Sequence, residues 1–240
     1  MSFLGKLMRP STVTGADLFD WSALMRRPRQ WLPSLVPIRS LGTAHVPQIT
    51  RHLMALSPSD RYLRFGYAAN DAQIQRYVDG LNFARDEIFG IYNRRLELIA
   101  VAHLAFSVDP ELISCAEFGV SVLEQARGRG YGGRLFDRAV KHARNQGVSL
   151  LFIHALSENT AMLKIARTAG ASIERDGSES EAYLKLPPAD LDSHMTELLE
   201  ERVAQTDYRL KVQAHQFWLV LALMQEVRRG VRDSRDRMLR

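Results

Sequence analysis

Glu117-Phe-Gly-Val-Ser-Val-Leu-Glu-Gln-Ala-Arg-Gly-Arg-Gly-Tyr-Gly-Gly133 is the stretch on which the fold turns. Phe118, Val120 and Val122 alternate with smaller or polar residues, the period of a half-buried strand. A glycine-dense turn follows from Arg127 to Gly133. Leu135, Phe136, Ala139, Val140 and Ala143 then share one helical face, and Gly147 stands where such a helix would end. Strand, glycine loop and helix together suit a phosphate. Glycines let backbone N–H groups turn toward an anion without a Cβ in the way. The helix start adds unpaired N–H groups and the positive end of its dipole. Arg127, Arg129 and Arg134 add full charges.

Two phosphate ligands fit this stretch. Gly128, Gly130 and Gly133 satisfy G-x-G-x-x-G, and Glu158 closes the next apolar run where a ribose-binding acid would stand. In a dinucleotide fold, however, the first glycine leaves the strand directly. Here Leu123 to Arg127 intervene. The other frame is Arg127-x-x-Gly130-x-Gly132 behind a strand that ends at Val122. The plain reading is a helix start that tolerates glycine.

The chain has 240 residues, 46% of them hydrophobic, enough for the core of one ordinary domain plus additions. Its net charge of +5 is unevenly spread. Residues 1–40 carry six basic and two acidic side chains, residues 190–207 six acidic and one basic, and residues 208–240 eight basic and three acidic. The middle is close to neutral, which argues against a nucleic-acid groove. The single cysteine, Cys115, excludes an internal disulfide and a thiolate metal cluster, and it suits a reducing cytoplasm. The seven histidines show no paired ligand spacing, so no metal is expected. The N-terminus lacks the apolar core of a signal peptide. The longest apolar run, Phe217 to Met224, is far short of the ~20 residues of a membrane-spanning helix.

Residues 1–35 read as an irregular basic segment broken by Pro10, Pro28 and Pro33. Leu35 to Leu41 reads as a strand. Val46, Ile49, Leu53 and Leu56 mark a helix stopped by Ser57-Pro58. Asn70 or Asp71 caps the next helix, with Ile74, Tyr77, Val78 and Leu81 inward. Ile88 to Tyr92, Leu96 to Phe106 and Cys115 to Leu123 read as strands. After the glycine-loop helix, Leu150 to Ala155 has the apolar run of a strand covered on both faces. Asn159 caps a helix ending at Gly170. Ser172 to Arg175 and Glu181 to Leu186 flank an Asp176-Gly177 turn as a hairpin.

Three local patterns carry a family resemblance: Val122-x-x-x-x-Arg127-x-x-Gly130-x-Gly132; Asn159-x-x-Met162-x-x-Ile165-Ala166-x-x-x-Gly170; and Ser59-Asp-Arg-Tyr-Leu-Arg-Phe65 together with Ala116-Glu-Phe-Gly-Val120. In this order they resemble the GCN5-related N-acetyltransferases, the GNAT family, over about residues 36–187. The third pattern is similar to the GNAT domain of bacterial protein lysine acetyltransferases. The resemblance implies an α/β (α+β) domain with a mixed, mostly antiparallel sheet whose central strands splay, followed here by C-terminal helices over residues 188–240. It implies acetyl-CoA as co-substrate, held by Val120, Val122, Arg127, Gly128, Arg129, Gly130, Tyr131, Gly132, Gly133 and Asn159, and an amine acceptor, either a protein lysine or a small molecule. It also exposes a departure. Many members carry a tyrosine, the proposed general acid, where this chain has Ala166.

Acetyl transfer to an amine needs two proton movements. Removing the proton from an amine of pKa about 10.4 costs roughly 4.6 kcal/mol at pH 7, whereas releasing a thiolate of pKa about 8.5 needs roughly 2 kcal/mol of help. A base therefore contributes more than an acid. Glu117 is the candidate base, in phase with Gly119 and Ser121 and opposite Phe118, Val120 and Val122. Its plain alternative is a solvent-facing strand glutamate. His103 and His154 read as satisfied core histidines, and Tyr183 and Cys115, candidates for a proton donor, read better as packing residues. An alternative from a different class is a non-catalytic acyl-CoA-binding sensor or scaffold, suggested by Ala166 and by the added tail.

In that tail, Leu191, Met195, Leu198, Leu199 and Val203 form one helical stripe, and Leu210, Ala214, Phe217, Leu221 and Met224 another. The expectation is that apolar contact holds the tail, within the chain or in a homodimer, while the opposite charges of its halves set direction. Membrane binding through Phe217, Trp218 and the basic end is the minor reading.

Overall fold

The computed structural model describes residues 36–108, 114–190 and 194–216. The basic segment 1–35 and the apolar stripe from Phe217 onward lie outside the described residues. The expected strand at Leu35–Leu41 shrinks to β1, Arg39–Ser40, a short edge strand. Helix α1, Val46–Met54, buries Ile49, His52 and Leu53, the face its periodicity predicts.

The next element departs from the sequence reading. Ser57-Pro58 ends α1, but it also starts a second helix, α2, Pro58–Phe65. The Ser57 hydroxyl accepts the Asp60 N–H at 3.2 Å, and a proline at the first helical position loses no bond because its N–H would be unpaired anyway. Gly66, in left-handed conformation at φ 79°, ends the helix. Helix α3, Asp71–Asp79, opens with the expected Asn70 cap, completed by Gln73 as a reciprocal capping box.

Strands β2, Glu87–Tyr92; β3, Leu98–Phe106; and β4, Cys115–Val122, form an antiparallel meander. Helix α4, Tyr131–Asn145, crosses over to β5, Leu150–Leu156, which pairs parallel with β4. Helix α5, Thr160–Thr168, leads to the hairpin β6, Ser172–Asp176, and β7, Glu179–Lys185. Among the described residues, seven strands run in the order β1-β2-β3-β4-β5-β7-β6, and only the β4–β5 pair is parallel. Glu117, Gly119 and Ser121 alternate with Phe118, Val120 and Val122 along β4, so its two faces meet different helices. Phe118 packs edge-on against Phe136 of α4, with ring centroids 5.0 Å apart, both almost fully buried. Ser121, on the other face, meets His52 of α1.

His52 is a buried polar anchor. Its Nδ1–H donates to the Leu98 carbonyl at 2.8 Å, and its Nε2 accepts the Ser121 hydroxyl at 2.9 Å. Burial pushes its pKa from 6.5 down to about 4. The unfolded chain therefore binds a proton below pH 6.5 that the native state refuses until about pH 4. Stability should fall as pH drops through that window, by about 3 kcal/mol from this residue alone. His52→Gln should lose that increment, so denaturation curves at pH 7 and pH 4 should differ less for the variant. Equal acid sensitivity of the two proteins would assign the effect elsewhere.

Two further expectations need correction. Strand β5 is covered on one face only. Leu151, Ile153 and Ala155 are buried, while Phe152 is partly open and His154, stacked on it, is exposed. His154 is thus not a core histidine. In the tail, residues 194–216 form one helix, α6, and it docks through charge rather than through its apolar stripe. Glu197 takes Arg138 at 2.8 Å and His142 at 2.6 Å, and Glu200 takes Lys141 at 2.5 Å, all on α4. Arg138 is only 4% exposed. Its Nη1 meets Glu197 as an ion pair out of line for a hydrogen bond. Burial would raise the Glu197 carboxyl, but bonds from His142 and Asn145 and the Arg138 charge outweigh it and hold its pKa at about 2. Tyr208 adds an aromatic anchor between Tyr92 and the Arg39 guanidinium. Met195, Leu198, Leu199 and Leu210 face outward, each more than half exposed. The helix is inverted because α4 presents a basic outer face, and carboxylates answer it better than methyl groups.

Candidate active site

The parallel pair β4–β5 supplies the geometry. Its register covers only Cys115↔Leu150, Ala116↔Leu151 and Glu117↔Phe152. Beyond Glu117, β4 runs on to Val122 paired only with β3, and β5 runs on to Leu156 paired only with β7. The facing edges of Phe118–Val122 and Ile153–Leu156 lack each other as partners. Backbone groups away from water need partners, so this wedge suits an extended, amide-bearing ligand laid in as an extra strand.

The wedge opens toward the glycine loop. A single turn of 3₁₀ helix, Glu124–Ala126, separates β4 from that loop. Gly128 and Gly130 sit at φ 75° and 73°, in the left-handed region where other residues are strained. Gly130 is the N-cap of α4 and gives it no side-chain cap. The first intrahelical bond runs from the Arg134 N–H to the Gly130 carbonyl, so the amides of Tyr131, Gly132 and Gly133 lack helical partners. Gly132 serves packing as well, since a Cβ there would meet Ile165 at 3.1 Å. Arg129 is exposed, and Tyr131 packs partly against the core.

Arg127 has a structural job. Its guanidinium pairs with Asp60 of α2, and its Nε–H donates to the Val122 carbonyl at 3.2 Å. Burial would raise the Asp60 carboxyl, but Arg127 and Ser57 hold it below its usual range. Asn159 is likewise engaged, accepting the Met162 N–H and donating to the Leu63 carbonyl at 3.3 Å. Val120 and Val122 are half-buried at the wedge edge. Ala166 is completely buried in α5, so that position carries a methyl group and no proton donor.

Glu117 is exposed and sits at the vertex where the wedge closes. On the same face lies a set of groups the sequence reading missed. Arg64 of α2 donates to the Tyr77 hydroxyl of α3 at 2.9 Å, and that hydroxyl lies 2.8 Å from His103 Nδ1. His103 Nε2 lies 3.2 Å from a carboxylate oxygen of Asp86, itself 6% exposed. Burial and the Arg64 charge push the His103 pKa down, so the ring is neutral at pH 7. Its one proton goes to the acceptor-only carboxylate, and Tyr77 donates to Nδ1. His103 is thus satisfied in the core, as expected. Tyr183 donates to Glu174 at 2.5 Å, and Cys115 is buried and free.

A glycine loop on a crossover helix beside a splayed parallel pair defines an acyltransferase scaffold rather than a dinucleotide fold, which needs a parallel sheet. Residues 57–171 match the model of the acetyltransferase (GNAT) family, so this stretch is a GNAT domain. That match supports acyl-CoA-dependent acetyl transfer as the general class of chemistry. Among solved structures, the chain is similar to the GNAT domain of S. lividans PAT, at 18% identity and TM-score 0.53, covering 62% of this chain and 89% of that one. It is similar to ribosomal-protein-alanine N-acetyltransferase from Brucella melitensis, at 16% identity and TM-score 0.51, covering 62% and 99%. An N-acetyltransferase from Staphylococcus aureus Mu50 gives 15% and 0.51, covering 62% and 98%. At such identities the likeness is one of fold. No curated protein matches the sequence.

Proposed function

We propose that this protein is an N-acetyltransferase that moves the acetyl group of acetyl-CoA to an amine by direct attack. The observation that carries the reading is the wedge between β4 and β5, opening onto the unpaired amides of Tyr131 to Gly133. The pyrophosphate would lie on those amides and on the Gly128–Gly130 backbone, and the pantetheine arm along Val120 and Val122. An N–H from that edge would polarise the thioester carbonyl. Arg127 would act mainly by fixing the start of the loop, and Asn159 by capping α5. Glu117 would take a proton from the protonated amine, so that the neutral nitrogen can attack. The C–N bond forms, the C–S bond breaks, and CoA leaves as a thiolate. The acceptor class, protein lysine or small amine, is open in this proposal because acceptor loops vary freely on one scaffold.

A panel of amines and lysine-bearing proteins, assayed for acetyl-CoA-dependent thiol release, tests the reading. Release with any acceptor above the hydrolysis background supports it. CoA binding without release across the panel favours the sensor or scaffold alternative, for which the buried methyl of Ala166 speaks.

The sequence traits of the chain also fit a cytoplasmic location. Among the described residues, no helix is long and apolar enough to cross a membrane. We further propose self-association through the outward stripe of α6, Met195, Leu198, Leu199 and Leu210. Leu198→Glu with Leu199→Glu should shift a dimer to monomer in sedimentation without loss of folding, since both side chains are more than 60% exposed. A monomeric wild-type protein at the same concentration would end the dimer idea.

A further inference from the structure

We infer that Arg64 stabilises the departing CoA thiolate, the task for which α5 offers only the methyl group of Ala166. The inference rests on the acetyl-CoA reading above and adds a residue to it.

The placement of Arg64 is the first observation. A Cβ built on Gly119 would stand 2.7 Å from the Arg64 guanidinium carbon and 2.7–2.8 Å from both terminal nitrogens. The guanidinium therefore fills the space over Gly119, and only a glycine admits it. Gly119 lies two residues beyond Glu117, about 6.6 Å along the strand and on the same face. The wedge closes at Glu117↔Phe152. An arm that enters from the glycine loop and follows β4 past Val122 and Val120 thus ends beside Gly119. Its sulfur arrives at Gly119, which the Arg64 guanidinium overhangs.

The second observation is how Arg64 is held. Tyr77 spends its hydroxyl proton on His103 and offers only its oxygen to Arg64. His103 is oriented in turn by Asp86, which Arg85 grips at 2.6 and 3.0 Å and the Phe106 N–H at 3.3 Å. This chain takes one guanidinium N–H donor and leaves the group its full charge. The carboxylate stands at the far end, separated from Arg64 by two neutral groups, so it does not neutralise the cation. Tyr77, His103 and Asp86 are positioning residues in this scheme. As the C–S bond breaks, the electron pair goes to sulfur beside the guanidinium, and the amine proton goes to Glu117. The thiolate is protonated after it leaves, so no acid on α5 is required. A fixed cation next to the site also disfavours the protonated amine, which assists the same step.

The test needs no acceptor. The ionisation of the CoA thiol is followed by thiolate absorbance against pH, for free CoA and for CoA bound to the full-length protein. A cation within reach lowers a thiol pKa, and about 1–3 units are expected for the bound form of the wild type. Arg64→Gln should return the bound thiol to within about half a unit of free CoA, with CoA still bound through the loop. Gly119→Ala is the second variant. Its methyl must displace the flexible end of Arg64 without touching backbone, so it should fold and lose most of the shift. Tyr77→Phe should lose part of it. An unshifted thiol in the wild-type complex would overturn the role of Arg64. So would a shift that survives both Arg64→Gln and Gly119→Ala. Absence of any CoA binding by the wild type would instead overturn the acetyl-CoA reading, a separate and recognisable outcome.

Discussion

Glu117→Gln should lower the acetyl-transfer rate by about 10²–10⁴-fold while leaving CoA affinity within a factor of two. Glutamine keeps the shape and the strand, and Glu117 is exposed, so the fold has little to lose. What disappears is the ability to take a proton. A protonated amine of pKa about 10.4 must then lose its proton unaided, roughly 4.6 kcal/mol uphill at pH 7. The loss should shrink as pH rises toward the amine pKa, because free base becomes available without help. The measurement is the chemical step in single turnover between pH 6 and pH 10. A variant rate within a factor of two of wild type below pH 8 would assign the base elsewhere.

The second large effect is expected at Gly130. Gly130→Asp sets a carboxylate at the N-cap of α4, in front of the amides of Tyr131 to Gly133. Aspartate is a good cap in general and visits the left-handed region more readily than most residues, so the helix should form. Those same properties make it a competitor for the phosphate. It would accept the N–H groups the pyrophosphate needs and present like charge to it. Such repulsion costs several kcal/mol, and a loss of about 3 kcal/mol corresponds to about a 100-fold weaker CoA complex. Calorimetry on folded protein measures it. An affinity equal to wild type would show that the pyrophosphate is held somewhere other than this loop.

Much of the fold is legible because its signals are local. Apolar residues at helical spacing, Asn70 and Asn159 at caps, and Gly147 and Gly170 at helix ends each act within a few residues. The same chemistry misleads where one signal has two meanings. Ser57-Pro58 reads as a stop for α1, yet it is a start for α2, because proline at the first helical turn has no bond to lose. The apolar run Leu150 to Ala155 reads as doubly covered, but apolar content does not report whether a helix lies on a face. The partly open Phe152 and the exposed His154 show that here one face stays largely uncovered.

By itself the sequence determined the strand, glycine loop and helix at Glu117–Asn145, the family it resembles, and the phase that sets Glu117 opposite Phe118. All of these depend on residues close in the chain, where backbone geometry alone fixes which side chains share a face. Tertiary structure decided the rest. It set the register that ends the β4–β5 pairing at Glu117 and so opens the wedge. It brought Arg64 over Gly119, 55 positions on, and tied it through Tyr77 and His103 to Asp86. It also turned α6 inside out, because Lys141 and Glu200, 59 residues apart, meet only once α4 has packed on the sheet. Ion pairs and orphaned strand edges have no period, so they become visible only when the chain has closed around them.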